Sequence, residues 1–479
     1  MTRRIVIGAV LLVVLTRTAW ADFGLPELGG PPLPPQTYGR ESISPQEAAN
    51  LQAQIDELKR ELAREKFRPA YVPASASGDA APTLSKDVDS LMKWKASVDK
   101  ADAKAALKPS VNIGGRLFFD SALFSQNQAS FAQVGDAENA TKLRWAWIEL
   151  KGSMLENVDY RFWVDVSNNV NILDAYLDFH DLPYFQNFRI GHFFEPFSMQ
   201  QLTPNKYLTF MERSSPFNLG RDLGLMLHSD NANANWTYGA GLFMNEDSAR
   251  PPFYQNDEDS LAVTGRFTCL PWYDEASDGR GLIHLGLGGS YRHLADQTLR
   301  FRNRPDAALA PYIVDTGNFA ADNYSLIGLE AAYAYGSFIM QTEYHRAAAD
   351  TLSFGNEYFD HYYIQASYVL TGENRAYNRR SGSFSNRIVP YENFFRVRTE
   401  DGRICRGRGA WEIAYRYAHD DLNSDNILGG RDYRHLFSLN WYLSPYTRAM
   451  FEYNYTNTDD TTASNGLLHV FQMRMQFEF

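Results

Sequence analysis

The chain has 479 residues, 46 basic against 57 acidic, and a formal net charge of −11. That balance argues against a nucleic-acid binder, and two cysteines are too few for a disulfide-stapled scaffold. With 28 Tyr and 31 Phe the chain is more aromatic than water-soluble domains usually are, yet no run approaches the 18 apolar residues a helical span requires.

The first elements are export and linker signals. Arg3 and Arg4, the apolar run Ile5 to Leu15 and the small-residue site Ala19-Trp20-Ala21 read as a signal peptide over 1–21. Its removal leaves 43 basic and 57 acidic residues. Asp22 to Pro45 is rich in proline and glycine and reads as an extended linker. Ser44 to Arg68 places Leu51, Ile55, Leu58 and Leu62 on one helical stripe, with Ser44, Pro45 and Glu47 forming a capping-box start. A second stripe carries Leu84, Val88, Leu91 and Val98. Narrow stripes with charged backs need partners, so residues 22–108 are expected as a periplasmic linker and a short, three-stranded coiled coil. A single helix lying on the barrel, or partial disorder, is the alternative. A cell-wall or other periplasmic contact would run through 44–108.

From Pro109 the period changes from helical to two. Sixteen strands are expected near 111–123, 141–152, 158–167, 171–180, 186–194, 220–229, 234–244, 259–269, 281–292, 323–335, 337–347, 359–371, 409–420, 432–443, 446–457 and 467–479. Trp411, Ile413, Tyr415 and Tyr417 alternate with Glu412 and Arg416, and Phe451, Tyr453 and Tyr455 with Glu452 and Asn454. The closing run alternates Phe471, Met473, Met475, Phe477 and Phe479 with Gln472, Arg474, Gln476 and Glu478, and is long enough to cross a bilayer as a tilted strand. Short turns such as Tyr335-Gly336 and Ser444-Pro445 contrast with long polar segments at Asn245 to Asp259 and Ala295 to Asp322. The expected fold is all-β: an outer-membrane antiparallel β-barrel of about 16 strands over 109–479, greasy outside and polar within, surrounded by outer-membrane lipid.

Several stretches together carry a family resemblance. They are Ile113-Gly114-Gly115-Arg116-Leu117, Arg144-Trp145-Ala146-Trp147-Ile148-Glu149, Phe188 to Arg213, Leu370-Thr371-Gly372-Glu373, Gly409-Ala410-Trp411-Glu412 and Leu439-Asn440-Trp441-Tyr442. In this order they resemble the phosphate-selective porin O/P family across nearly all of 109–479, with the N-terminal region outside the resemblance. The resemblance implies a sixteen-stranded barrel, a homotrimer with one pore per subunit, and passage of small anionic solutes such as phosphate. A general or non-phosphate porin, or a structural anchor tethering the envelope through the coiled coil, are the alternatives.

The segment 195–220 is the third outward loop and, with Tyr207, Phe210 and Met211, is expected to fold inward as a constriction. By resemblance, Arg116, Arg144, Asp174 and Arg213 match the family's pore residues, and Lys206 belongs to the same loop. Arg161, Arg189 and Gln201 are secondary lumen candidates. Trp145 stands where the family has a second arginine, Gln201 where it has a lysine, and Pro204 and Asn205 where it has paired serines. Residues 109–479 hold 31 basic and 44 acidic residues, so lumen arginines either form a basic track or pair with Asp174, Glu149 or Asp165. Cys269 and Cys405 are both expected at the periplasmic rim, where oxidation would require the segment 373–408 to cross the base. No catalytic motif, metal cluster or cofactor loop is read from the sequence. His345, His361, His419 and His435 are expected at rims or in loops.

Overall fold

Alternating side chains let one strand be dry on one face and polar on the other, and such a sheet has no free edge only when it closes. The computed structural model describes residues 109–229, 233, 235–245, 260–398 and 402–479. The signal peptide, the linker and the helical stripes expected within 1–108 lie outside the described residues. The wall consists of β1 (Asn112–Gln126), β2 (Ala140–Ser153), β3 (Val158–Asp165), β4 (Asn171–Leu182), β5 (Gln186–Phe194), β6 (Arg221–His228), β7 (Trp236–Asn245) and β8 (Ser260–Tyr273). It continues with β9 (Gly281–His293), β10 (Phe319–Tyr335), β11 (Phe338–Thr351), β12 (Gly355–Val369), β13 (Ala410–Asn423), β14 (Leu428–Ser444), β15 (Thr447–Asp459) and β16 (Gly466–Glu478). Each expected strand is present, shifted by a few residues at its ends.

Every strand pairs antiparallel with its chain neighbour, and β16 pairs with β1 from Arg116–Glu478 to Gln126–Leu468. Phe479 adds a reciprocal backbone pair with Gly115 at 3.1 Å. Across this seam Arg474 grips Asp120 with two bonds of 2.7 Å. A bidentate guanidinium–carboxylate pair fixes the register where the two ends of the chain meet.

The wall is inverted relative to a water-soluble core. Leu225, Leu242, Val263, Leu285 and Ile327 are exposed on the outer face, while Arg292, Arg416, Arg434 and Arg474 are fully buried inside. This is the dry-outside, polar-inside arrangement of a bilayer-spanning barrel.

Three segments fold into the lumen. The expected inward loop at 195–220 is one. The second, 294–318, was expected as an outward polar segment, and the structure corrects this: Phe301, Ala307, Ala310, Ile313 and Val314 are buried. Asp306 accepts from Arg434 at 2.8 Å, Arg416 at 3.3 Å and Ser214 at 3.3 Å. The inner arginines of β13 and β14 therefore hold this loop, and its polar composition reflects a charged lumen instead of bulk water. The third segment, 370–398, enters from the short-turn rim. There Arg375 binds Glu412 at 3.0 Å and Arg266 donates to the carbonyls of Ser381 and Gly382.

One smaller expectation changes. His345, His361, His419 and His435 all lie within strands; the first two are buried on the inner face, while on the outer face His419 stacks on Tyr433 and His435 lies tilted against Tyr417. Strand parity, which puts alternate residues on one face, decides this. Cys269 lies in β8 as a free thiol, and the side chain of Cys405 lies outside the described residues.

Candidate functional site

The loop 195–220 is a backbone laid across a polar lumen, so each of its N–H and C=O groups must find a partner. Wall carboxylates accept from its N–H groups: Glu330 from Met199, Glu343 from Gln200 at 2.8 Å and Glu452 from Met211 at 2.7 Å. Wall donors serve its carbonyls: Arg448 binds Leu208 at 2.7 Å and Thr209 at 3.0 Å, and Gln476 binds Lys206 at 2.9 Å. Much of the lumen charge that reads as solute-facing in the sequence is thus occupied in holding the loop.

Glycines on β9 mark where it docks. A side chain at Gly288 would meet the Phe197 carbonyl at 2.0 Å, so only glycine lets the loop backbone approach this closely. At its root Glu195 accepts from Arg292 at 2.6 Å, and Arg292 also binds Asp222 at 3.0 Å. Burial, reinforced by a hydrogen bond with Asp222, pushes the Glu195 carboxyl up to about 8.

The loop meets the wall of β1–β3 at an aromatic seam. Trp145, Trp147 and Trp163 follow one another with ring centroids 4.8 Å apart. Arg116 lies over both Trp147 and Trp163, 4.9 and 4.3 Å from their ring centres, and donates to Asn205 of the loop at 2.5 Å. Arg161 and Arg221 also lie over Trp163, at 4.4 and 5.4 Å. A guanidinium stacked by its face keeps its N–H edge for an acceptor. Arg161 Nε and the indole N–H groups of Trp147 and Trp163 find no acceptor among the described residues.

Arg161 contacts Glu149 at 2.7 Å and Asp174 at 3.3 Å, and Arg221 contacts Asp174 at 2.5 Å. Arg144 contacts Glu212 at 3.2 Å, and Arg474 reaches the same carboxylate at 2.6 Å. Burial alone would raise the Glu212 carboxyl; the two arginines outweigh it and hold it at about 2. Lys206 contacts Glu478 at 2.5 Å. Arg189 pairs with Asp178, which also contacts His228 at 2.9 Å.

Arg116, Arg161 and Asp174 therefore come together on one wall, with Lys206 one residue along the loop from Asn205. Arg144 is set on Glu212, and Arg189 belongs to a separate cluster with Asp178. Arg213 donates to the carbonyls of Gln200, Gln201 and Thr203 and braces the loop. Burial and then Arg221 lower the Arg213 guanidinium to about 10. Gln201 is buried inside the loop, bonded to Glu195 O and Leu219 N, with no face toward the lumen. Arg221, Trp147 and Trp163 were not singled out from the sequence. Their parity with Asp174 and Arg116 was readable, but which inward residues gather at one height depends on barrel shear.

The ion pairs are uneven in their exposure. The side chain of Arg161 is 27% exposed against 5% for Asp174, and Arg189 is 22% exposed against 5% for Asp178. Lys206 at 17% against Glu478 at 6% is uneven in the same direction, while His180 at 22% against Asp159 at 51%, toward the short-turn rim, is reversed.

Known proteins match most of this chain. The family described as "Phosphate-selective porin O and P" matches residues 111–479. Porin O of Pseudomonas aeruginosa is 25% identical over 427 residues, covering 82% of this chain and 92% of that protein. A Caulobacter vibrioides protein is 25% identical over 485 residues, covering 93% of each. Among solved structures, an anion-selective porin from Comamonas acidovorans superposes with a TM-score of 0.47 at 12% identity, over 78% of this chain and all of that one. The trimer form of the Vibrio cholerae outer-membrane protein OmpT gives 0.48 at 10% identity, over 78% and 99%. With a closed barrel, an inward third loop and a family match over the whole barrel, the chain belongs to the phosphate-selective porin O and P family and is an outer-membrane porin.

Proposed function

We propose that this porin is a passive channel for small anions, phosphate among them, assembled as a homotrimer with residues 22–108 on the periplasmic side. The observation that carries the anion reading is the uneven exposure of the lumen ion pairs. Pairing neutralises total charge, but a passing ion responds to the charge nearest to it, and water-excluded walls strengthen that response. Arg161, Arg189 and Lys206 each present the cation to the lumen and screen the acid behind it. An inorganic oxyanion suits the partly exposed guanidinium groups of Arg161 and Arg189. The relatives' names, Porin O and the phosphate-selective family, support the same class of solute.

The test is conductance of the purified full-length protein in a planar bilayer under a KCl gradient. A reversal potential on the chloride side, and a chloride current reduced by added phosphate, are expected. A potential on the potassium side would overturn anion preference. No conductance at all would overturn the channel.

A further inference from the structure

Beside the constriction loop lies a cavity of about 680 Å³ that reaches the short-turn rim at Asn112 and Lys151–Ser153. Its wall interleaves two chemistries. Arg161 and Arg189 each have an acid partner that is nearly covered. The ring of Tyr176, on the strand between theirs, together with Phe194 and with Leu202 and Pro204 of the loop, adds apolar lining, all four half-buried. Arginine and ring are in contact, since Arg189 lies 4.3 Å from the centre of the Tyr176 ring and Arg221 lies 3.8 Å from that of Phe194.

We propose that this cavity is a binding site for amphipathic organic anions, compounds with one carboxylate and a compact apolar or aromatic body, of which benzoate is the simplest probe. The proposal rests on the anion reading above and deepens it. A bare tetrahedral oxyanion has no surface to place against Tyr176, Phe194, Leu202 and Pro204, so those groups stay wetted when it passes. A carboxylate on the edge of Arg161 or Arg189 brings an attached ring onto them and removes apolar area from water on both partners.

The experiment compares block of chloride current by benzoate, acetate and phosphate on the full-length porin in planar bilayers. Benzoate is expected to reach half-block at a concentration about tenfold below acetate and below phosphate, the ratio that burial of one small ring supports. The benzoate-to-acetate ratio is expected to shrink in Phe194→Ala and Tyr176→Ala. Equal block by benzoate and acetate in the unaltered protein, or tighter block by phosphate, would overturn the proposal, and this comparison decides even if a variant fails to fold. Chloride-side reversal potentials with equal block would sink this inference alone. Potassium-side potentials would sink the anion reading on which it rests.

Discussion

The Arg161 guanidinium lies 3.3 Å from the Asp174 carboxylate, yet the arginine shows the lumen about five times the fractional surface that the aspartate does. Asp174 also holds Arg221, so one covered acid serves two cations that lie over the same Trp163 ring. Removing either member changes the field in opposite directions. Arg161→Gln should lower the anion-to-cation permeability ratio, and Asp174→Asn should raise it, each by about fivefold, as a change on the order of 1 kcal/mol at the barrier implies. Reversal potentials in a KCl gradient measure both. If the two variants shift the ratio the same way, the pair acts through structure and not through its field.

Asp306 predicts a different outcome because nothing in its surroundings is solvent-facing. It accepts from Arg434 and Arg416, both fully buried, while its carbonyl accepts from Gln472 at 3.0 Å. Asp306→Ala leaves two guanidinium groups without this partner, and breaking a buried pair of this kind costs about 3–5 kcal/mol. The expected result is a lower unfolding midpoint in denaturant, with new protease cleavage confined to 294–318. An unchanged midpoint together with an uncut loop would show that the segment is held by its apolar packing alone.

That segment also shows where sequence reasoning stops. The wall was legible because period-two alternation is local: Glu412 and Arg416 can be set inward, and Ile413 and Tyr415 outward, without knowing their partners. The constriction loop was legible because Phe210 and Met211 would be costly in water. The inward course of 294–318 was hidden because its anchor is long-range. Arg416 and Arg434 meet Asp306 across more than 100 residues of chain, and a loop buried against charge is itself polar. The candidate site was half legible for the same reason. Arg116, Arg161 and Asp174 are found by parity and resemblance, whereas the convergence with Arg221 and Trp163 is set by how neighbouring strands are staggered.

Glu195 makes the anchoring of the constriction loop pH-dependent. Its carboxyl, raised to about 8 by burial and by Asp222, binds its proton more tightly in the folded chain than in the unfolded one. Stability from this group is complete below the ordinary carboxylate range and is lost as pH rises toward 8. Glu195→Gln keeps an acceptor for Arg292 and a donor for Asp222 without the titration. The variant should therefore gain stability over the unaltered protein at pH 9, by an amount on the order of 1–2 kcal/mol, with little difference at pH 4. Denaturant midpoints at the two pH values test this, and a larger gain at pH 4 would reverse the assignment.

Trp145→Arg asks whether the second arginine expected here from the family resemblance can be accommodated. Trp145 packs against Phe118 with ring centroids 5.3 Å apart and against Trp147 at 4.8 Å, and it lies under both Arg144 and Arg474. An arginine there would lose that packing and stand beside two cations already served by Glu212 and Asp120. Loss of a large aromatic contact costs about 3 kcal/mol or more, and a further unpaired cation adds to it. The expected outcome is a less stable barrel with no gain in anion preference, read from denaturant midpoints and reversal potentials together. A stable variant with a stronger chloride preference would mean that Glu212 and Asp120 can accommodate a third guanidinium. The aromatic seam would then be interchangeable with the family's basic one; the packing around Trp145 argues that it is not, because each ring in it already carries an arginine or a neighbouring ring.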